Sequence, residues 1–330
     1  MYDSLLSVLL GIIEGLTEFL PVSSTAHLRL SEALLGIDLS NGYWKMYSIV
    51  IQLGAILCLP IYFRSRISNA LVTFRPNSAL IGILTLLFWL PFCLFCLPAW
   101  WAAMVRVAAP TTAASSEGRN SFHLLILIMI AFVITAGPAW LLHKKIGDNL
   151  EKISVIGWSL LVGGIIMWIV DGLFGKTPAN GHFKTEHVEE TSTLQAIWIG
   201  FCQIASAVFP GTSRSMSTIA SGQLAGMSRP SALEFSFFLS MPTMAAATLY
   251  ELYKTLRAHA GETALGRMPV NSHEWLVLII GFVVSFFVAW AVVAWFMNWV
   301  RQRGFAPFAI YRIIIGIAVL LWVVKSHGLH

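Results

Sequence analysis

Glu14-Gly-Leu-Thr-Glu18-Phe-Leu-Pro21-Val-Ser23-Ser24-Thr25-Ala-His27 lies inside a run, residues 4–36, that is apolar overall. A lipid-facing helix could not carry these groups cheaply, because an intramembrane charge costs at least a few kcal/mol and broken backbone leaves polar groups unpaired. The stretch therefore reads as a helix–break–helix hairpin that enters a membrane, turns near its middle and leaves on the same side. A second run, 193–227, carries a similar interruption at Gln203 and at Pro210-Gly211-Thr212-Ser213-Arg214-Ser215. Aligning Pro21 with Pro210 pairs Glu14 with Gln203, Ser23-Ser24 with Thr212-Ser213, and Thr25 with Arg214. Downstream, Leu34-Leu35-Gly36-Ile37 falls near Leu224-Ala225-Gly226-Met227, one residue out of step. An internal repeat explains this economically. Paired broken segments at matching places in two halves point to a shared site at the bilayer midplane, where helix N-termini bind anions.

Composition agrees with a membrane chain. Of 330 residues 57% are hydrophobic and 11% charged, against about 45–50% and about 25% in soluble globular domains. A water-soluble globule is excluded. The 13 Trp and 7 Tyr suit a chain with many lipid–water boundaries. A formal charge of +5 with no clustered basic face argues against nucleic acid as a partner. Cys58, Cys93, Cys96 and Cys202 all sit in apolar runs and read as small core residues rather than a disulfide framework. The N-terminus lacks the pattern of a signal peptide, so the mature chain is expected to begin at or near Met1.

Apolar runs long enough to cross a bilayer, about 20 residues each, occur near 46–63, 122–142, 153–171, 233–250, 274–299 and 306–325. The run 79–102, broken by Pro91 and Pro98, is expected to be an inserted hairpin or peripheral helix. Two hairpins that meet tip to tip from opposite faces need an odd number of crossings between them. The expected architecture is thus an all-α polytopic membrane protein with six full transmembrane helices and two re-entrant hairpins in an inverted repeat. It forms one integral domain over 1–330, with repeat one at 1–171, an inserted segment at 66–121, and repeat two at 193–330.

The chemistry concentrates at the two breaks. Glu14 and Glu18, at i and i+4, share a helix face and repel, which a divalent cation such as Mg²⁺ or Ca²⁺ would relieve. Ser23, Ser24 and Thr25 suit an N-cap cluster, and Ser23 and Thr25 are also expected, with Gly211, Thr212, Ser213, Arg214 and Ser215, to bind the substrate phosphate. His27, three residues after Ser24, shares its helix face, which brings hydroxyl and imidazole within mutual reach as nucleophile and base, or as a base with a phosphate-orienting hydroxyl. At the second break Gly211 permits tight backbone, Thr212, Ser213 and Ser215 offer hydroxyls, and Arg214 offers a fork of donors matched to phosphate oxygens. One hairpin brings acid and base groups and the other an anion clamp, a division that describes phosphoryl chemistry. Gln52, Glu234 and Arg312 are polar residues placed to brace the tips, and 184–190 reads as a solvated loop.

The first motif and Pro210-Gly-Thr-Ser-Arg-Ser215 together resemble those of the bacterial undecaprenyl-diphosphatase family, proteins first linked to bacitracin resistance. Val50-Ile-Gln-Leu-Gly54, Glu234-Phe-Ser-Phe237 and Phe308-Ala-Ile-Tyr-Arg312 add to the likeness, which runs from about residue 7 to 325 and misses mainly 66–121. The resemblance implies hydrolysis of undecaprenyl diphosphate to the monophosphate carrier and phosphate, with a divalent cation, in the bacterial inner membrane. It maps the family's acidic motif to Glu14 and Glu18, its Ser/His motif to Ser24 and His27, and its Arg motif to Arg214. Ala26 and Met216 stand where the family usually has Gly. The expected partners are a polyprenyl diphosphate substrate and membrane lipids; a homodimer stays open. The competing readings are a secondary transporter, since inverted repeats with broken helices are transporter architecture, a phosphatidic-acid-type lipid phosphatase, and a flippase of the same lipid.

Overall fold

Neither arm of the first interrupted run is long enough to span a bilayer, which takes about 20 residues of helix. The computed structural model describes residues 2–37, 42–72, 114–142, 152–176, 183–257 and 267–327. In it α1 (Tyr2–Thr17) has 16 residues and α2 (Ser24–Leu34) has 11. The second interrupted run repeats those lengths in α8 (Thr193–Val208, 16 residues) and α9 (Arg214–Leu224, 11 residues). Between and after them lie α3 (Gly42–Ile56), α4 (Cys58–Tyr62), α5 (Arg64–Val72), α6 (Ala114–Leu141), α7 (Ile153–Phe174), α10 (Arg229–Arg257), α11 (Ser272–Arg303) and α12 (Ala306–His327).

Among the described residues six stretches are long and apolar enough to cross: Gly42–Tyr62, Phe122–Leu141, Ile153–Phe174, Arg229–Lys254, Ser272–Arg303 and Ala306–Lys325. Each coincides with a run expected from the sequence, and the chain is an all-α polytopic membrane protein. The expected insertion at 79–102, with Cys93 and Cys96, lies outside the described residues.

Close approach of helices rests on small residues, as it must where lipid gives no hydrophobic drive for helices to associate. A Cβ on Gly11 of α1 would meet the Gly281 carbonyl of α11 at 2.8 Å, and a Cβ on Gly200 of α8 would meet the Ala131 carbonyl of α6 at 2.5 Å. The two short helices thus use equivalent glycines against equivalent long helices. Their buried faces match as well: Leu6, Ser7, Leu10, Gly11 and Glu14 on α1 correspond to Gln195, Ala196, Ile199, Gly200 and Gln203 on α8.

This register holds as far as the tips and then changes. Ser23 caps α2 and Ser213 caps α9, so Ser23 corresponds to Ser213 and Ser24 to Arg214. The pairing of Ser23 with Thr212 and of Thr25 with Arg214 is corrected by one residue, because the N-cap, not the proline, defines where each second helix starts. The second tip holds one extra residue. That residue puts Gly36 (φ 68) in step with Gly226 (φ 87), the left-handed residues that follow α2 and α9.

The segment 184–190 is not a fully solvated loop. Thr185 and Val188 are buried, Thr185 forms a parallel bridge with Met227, and the Gln195 amide donates to the Thr185 hydroxyl. At the first tip Phe19 is fully buried and meets Phe237 of α10 edge-on, with ring centroids 5.4 Å apart. This aromatic contact seats the tip against the bundle.

Candidate active site

Two serines in left-handed backbone mark the tips. Ser23 has φ 76 and Ser213 has φ 70, the two positive values outside glycine among the described residues. Such backbone costs an L-residue of order 1–3 kcal/mol and persists only where surrounding structure over-determines it. Each serine accepts a hydrogen bond from the helix it starts, Ser23 from the Ala26 N–H at 3.4 Å and Ser213 from the Met216 N–H at 3.3 Å. Both helices therefore start in the same way, at a serine cap, and the first N–H groups of a helix are suited to an anion. The tips are joined directly, since the Ser215 hydroxyl donates to the Leu20 carbonyl at 3.0 Å.

Glu18 is the hub. Its Oε2 accepts from the Ser24 hydroxyl at 2.6 Å and its Oε1 from Arg214 Nη2 at 3.1 Å. Arg214 Nη1 donates to the Ser236 carbonyl at 3.3 Å, and its buried Nε has no partner. Glu14 is fully buried, and neither of its oxygens accepts a hydrogen bond. It lies within electrostatic reach of Glu18, Glu32 and Arg214. With both carboxylates ionised against one guanidinium this cluster would carry an uncompensated buried charge, which costs several kcal/mol and which either a proton on Glu14 or a cation relieves.

The donor set suits a hard divalent cation. Glu14 supplies free carboxylate oxygens and Glu18 a second carboxylate, and Mg²⁺ takes one or two carboxylates and completes its shell with water and substrate phosphate. Among the described residues no three His, Cys, Asp or Glu side chains cluster as a closed metal site.

His27 is held away from Ser24. Its Nδ1 lies 2.7 Å from the Ser23 carbonyl, which can only accept, so Nδ1 carries the proton. Nε2 then accepts from the Tyr311 hydroxyl at 2.8 Å, and the two rings stack with centroids 5.6 Å apart. The expected Ser24–His27 pair is thus replaced by a Ser24–Glu18 pair, because the imidazole turns back over the helix start while the carboxylate crosses the hairpin.

The expected phosphate-binding residues divide in two. Thr25 and Thr212 are half-buried. Ser213 and Ser215 bond one another at 3.0 Å while capping and bridging the tips, and Gly211 (φ 94) packs so closely that a Cβ would meet the Ile156 carbonyl at 2.8 Å. Arg312 braces both tips, as expected: Nη1 donates to the Pro21 carbonyl at 3.0 Å, and Nη2 to those of Gly211 and Thr212 at 2.9 Å each. Glu234 does not brace a tip; it pairs with Arg66 of α5.

Three residues escaped the sequence reading. Tyr311 stands directly before Arg312, and that adjacency is the sequence signal for its place near the tips. Glu32 is fully buried beside the site, accepting from Ser48 at 2.6 Å and Arg29 at 3.2 Å. Asp171 accepts from Arg229 Nε at 2.7 Å, Gln223 at 3.0 Å and the Phe305 N–H at 3.0 Å, and so ties together the ends of α7, α9 and α10 and the turn before α12. The only signal for either acid was a carboxylate within or beside an apolar helix.

Comparison with known proteins places this arrangement. The profile of the family described as bacitracin resistance protein BacA matches residues 7–318. The chain belongs to that family. Among its relatives in the bacitracin resistance family is an undecaprenyl-diphosphatase of Koribacter versatilis (strain Ellin345), 55% identical over 323 residues that cover 97% of this chain and 98% of the relative. Proteins of the same name from Sorangium cellulosum (strain So ce56) and Caldanaerobacter subterraneus subsp. tengcongensis are 37% and 34% identical, each over 96% of this chain and over 85% and 95% of their own lengths. The family match spans the two tips and all the residues assembled around Glu18.

Proposed function

We propose that this protein hydrolyses undecaprenyl diphosphate to undecaprenyl phosphate and inorganic phosphate in the bacterial inner membrane, returning the lipid carrier to cell-wall synthesis. The observation that carries the reading is the Glu18 carboxylate shared between a hydroxyl, Ser24, and a phosphate-type donor, Arg214, the first residues of α2 and α9. A transporter needs no such pairing. The names and the near full-length coverage of the relatives support the same substrate.

In this reading the terminal phosphate sits against the N-termini of α2 and α9, and Arg214 passes from Glu18 to its oxygens. Ser24 Oγ attacks the terminal phosphorus while Glu18 Oε2 takes its proton. The bond from phosphorus to the bridging oxygen breaks, and its electron pair leaves with undecaprenyl phosphate, already a good leaving group. Water then attacks the phosphoserine and gives its proton to His27 Nε2 in place of the Tyr311 hydroxyl, and His27 passes that proton on to solvent as the phosphate leaves. The Oγ–P bond breaks and Glu18 returns its proton to Oγ. Glu14 and Glu18 would hold a divalent cation, Mg²⁺ or Ca²⁺, which when bound neutralises charge on the diphosphate. The helix pairs α1–α2 and α8–α9 serve as re-entrant hairpins of an inverted repeat, a reading that their equal lengths and matched glycines support.

The test is phosphate release from undecaprenyl diphosphate by purified protein in detergent, with and without chelator. Micelles have no compartments, so a transporter would release no phosphate, whereas a phosphatase releases it catalytically.

A further inference from the structure

Arg312 is fully buried and carries no carboxylate partner among the described residues. Its guanidinium is held by carbonyl oxygens instead: Pro21 on the first tip, Gly211 and Thr212 on the second, and Ser159 of α7 at 3.1 Å. Pro21 and Gly211 stand at equivalent places in the register set by Ser23 and Ser213, so one side chain grips the same point of both halves. The grip also orients backbone. A trans peptide points its N–H opposite to its C=O, so turning the Thr212 carbonyl onto Arg312 turns the Ser213 N–H away from it. The positive charge remains behind the tips, within electrostatic reach of His27, where low dielectric keeps its pull on an anion strong.

We propose that Arg312 is a positioning residue for phosphoryl transfer: by clamping Pro21 against Gly211 and Thr212, it sets the separation of Ser24 and Arg214 across the bound diphosphate. The inference rests on the phosphatase reading, and Gly163 supplies a way to test it. A Cβ at Gly163 would come within 2.3 Å of Arg312 Nη2 and 2.8 Å of the Met216 Cε, with no backbone atom among its nearest neighbours. Gly163→Ala therefore displaces the nitrogen that holds Gly211 and Thr212 while leaving the charge in place, and alanine favours the helix it joins.

The experiment measures kcat and KM for undecaprenyl diphosphate with wild type, Gly163→Ala, Arg214→Lys and the double variant, alongside thermal unfolding. Positioning predicts that Gly163→Ala lowers kcat about tenfold or more with KM within threefold, in a protein whose melting temperature falls but stays above that of the assay. It also predicts that the double variant is no worse than Arg214→Lys by more than about threefold, because both losses act on the same placement. Arg312→Lys, whose single ammonium cannot span both tips, should lose more than Gly163→Ala. Wild-type kcat in Gly163→Ala, or losses that multiply in the double variant, would overturn the inference alone. No phosphate release by wild type would overturn the phosphatase reading and this inference with it.

Discussion

The Ser24 hydroxyl donates to Glu18 Oε2 at 2.6 Å, so the group placed to take its proton is a carboxylate on the opposite arm of the hairpin, not the imidazole one turn further along its own helix. Arg214 bonds the other oxygen of that carboxylate at 3.1 Å. The hydroxyl, the carboxylate and the guanidinium are therefore one hydrogen-bonded unit, contributed by both halves of the chain.

Glu18→Gln keeps the shape of this unit and removes its proton acceptor. The expected result is a fall in kcat of about 10²–10⁴, the usual worth of a positioned general base. Phosphate release at saturating substrate checks it. A loss smaller than tenfold would show that Ser24 is activated by another group.

Stability at the second tip should separate strain from capping. Ser213→Gly relieves left-handed backbone worth about 1–2 kcal/mol and loses only a few tenths of a kcal/mol of capping. Ser213→Ala keeps the strain and loses about 1 kcal/mol of cap. Thermal unfolding in detergent should therefore rank glycine above wild type and wild type above alanine; the reverse order would remove strain as a feature of the tip.

Much of this was legible in the sequence, for reasons that also explain what was not. Hydropathy located the six spans found among the described residues because crossing a bilayer demands long apolar helices, and the polar breaks located both tips because lipid tolerates them only inside protein. Side-chain direction is different. Ser24 and His27 share a helix face in the sequence, yet His27 turns to the Ser23 carbonyl and Tyr311, a choice made by groups distant in the chain. The one-residue change of register between Glu14–Gln203 and Ser23–Ser213 was visible only as a downstream misfit. Glu32 and Asp171 stayed hidden because hydropathy does not distinguish a carboxylate at a helix end in water from one buried against Arg29 or Arg229.

Glu14 offers a readout of cation binding that is independent of turnover. With chelator present, Glu14→Gln should melt above wild type by on the order of 1 kcal/mol, since it removes a buried carboxylate that has no hydrogen-bond donor. Added Mg²⁺ should then stabilise wild type more than the variant, because a ligand stabilises the state that binds it. Equal Mg²⁺ stabilisation of both proteins would remove Glu14 as a cation ligand.

Ser24 is the group on which the proposed covalent route turns, and kcat of Ser24→Ala on undecaprenyl diphosphate, followed as inorganic phosphate, tests it. Removal of the nucleophile predicts a loss of about a thousandfold or more, roughly 4 kcal/mol of barrier, in a protein that unfolds at the wild-type temperature. Retention of more than about a tenth of wild-type kcat, a change under about 1.4 kcal/mol, would contradict it and make water the attacking group.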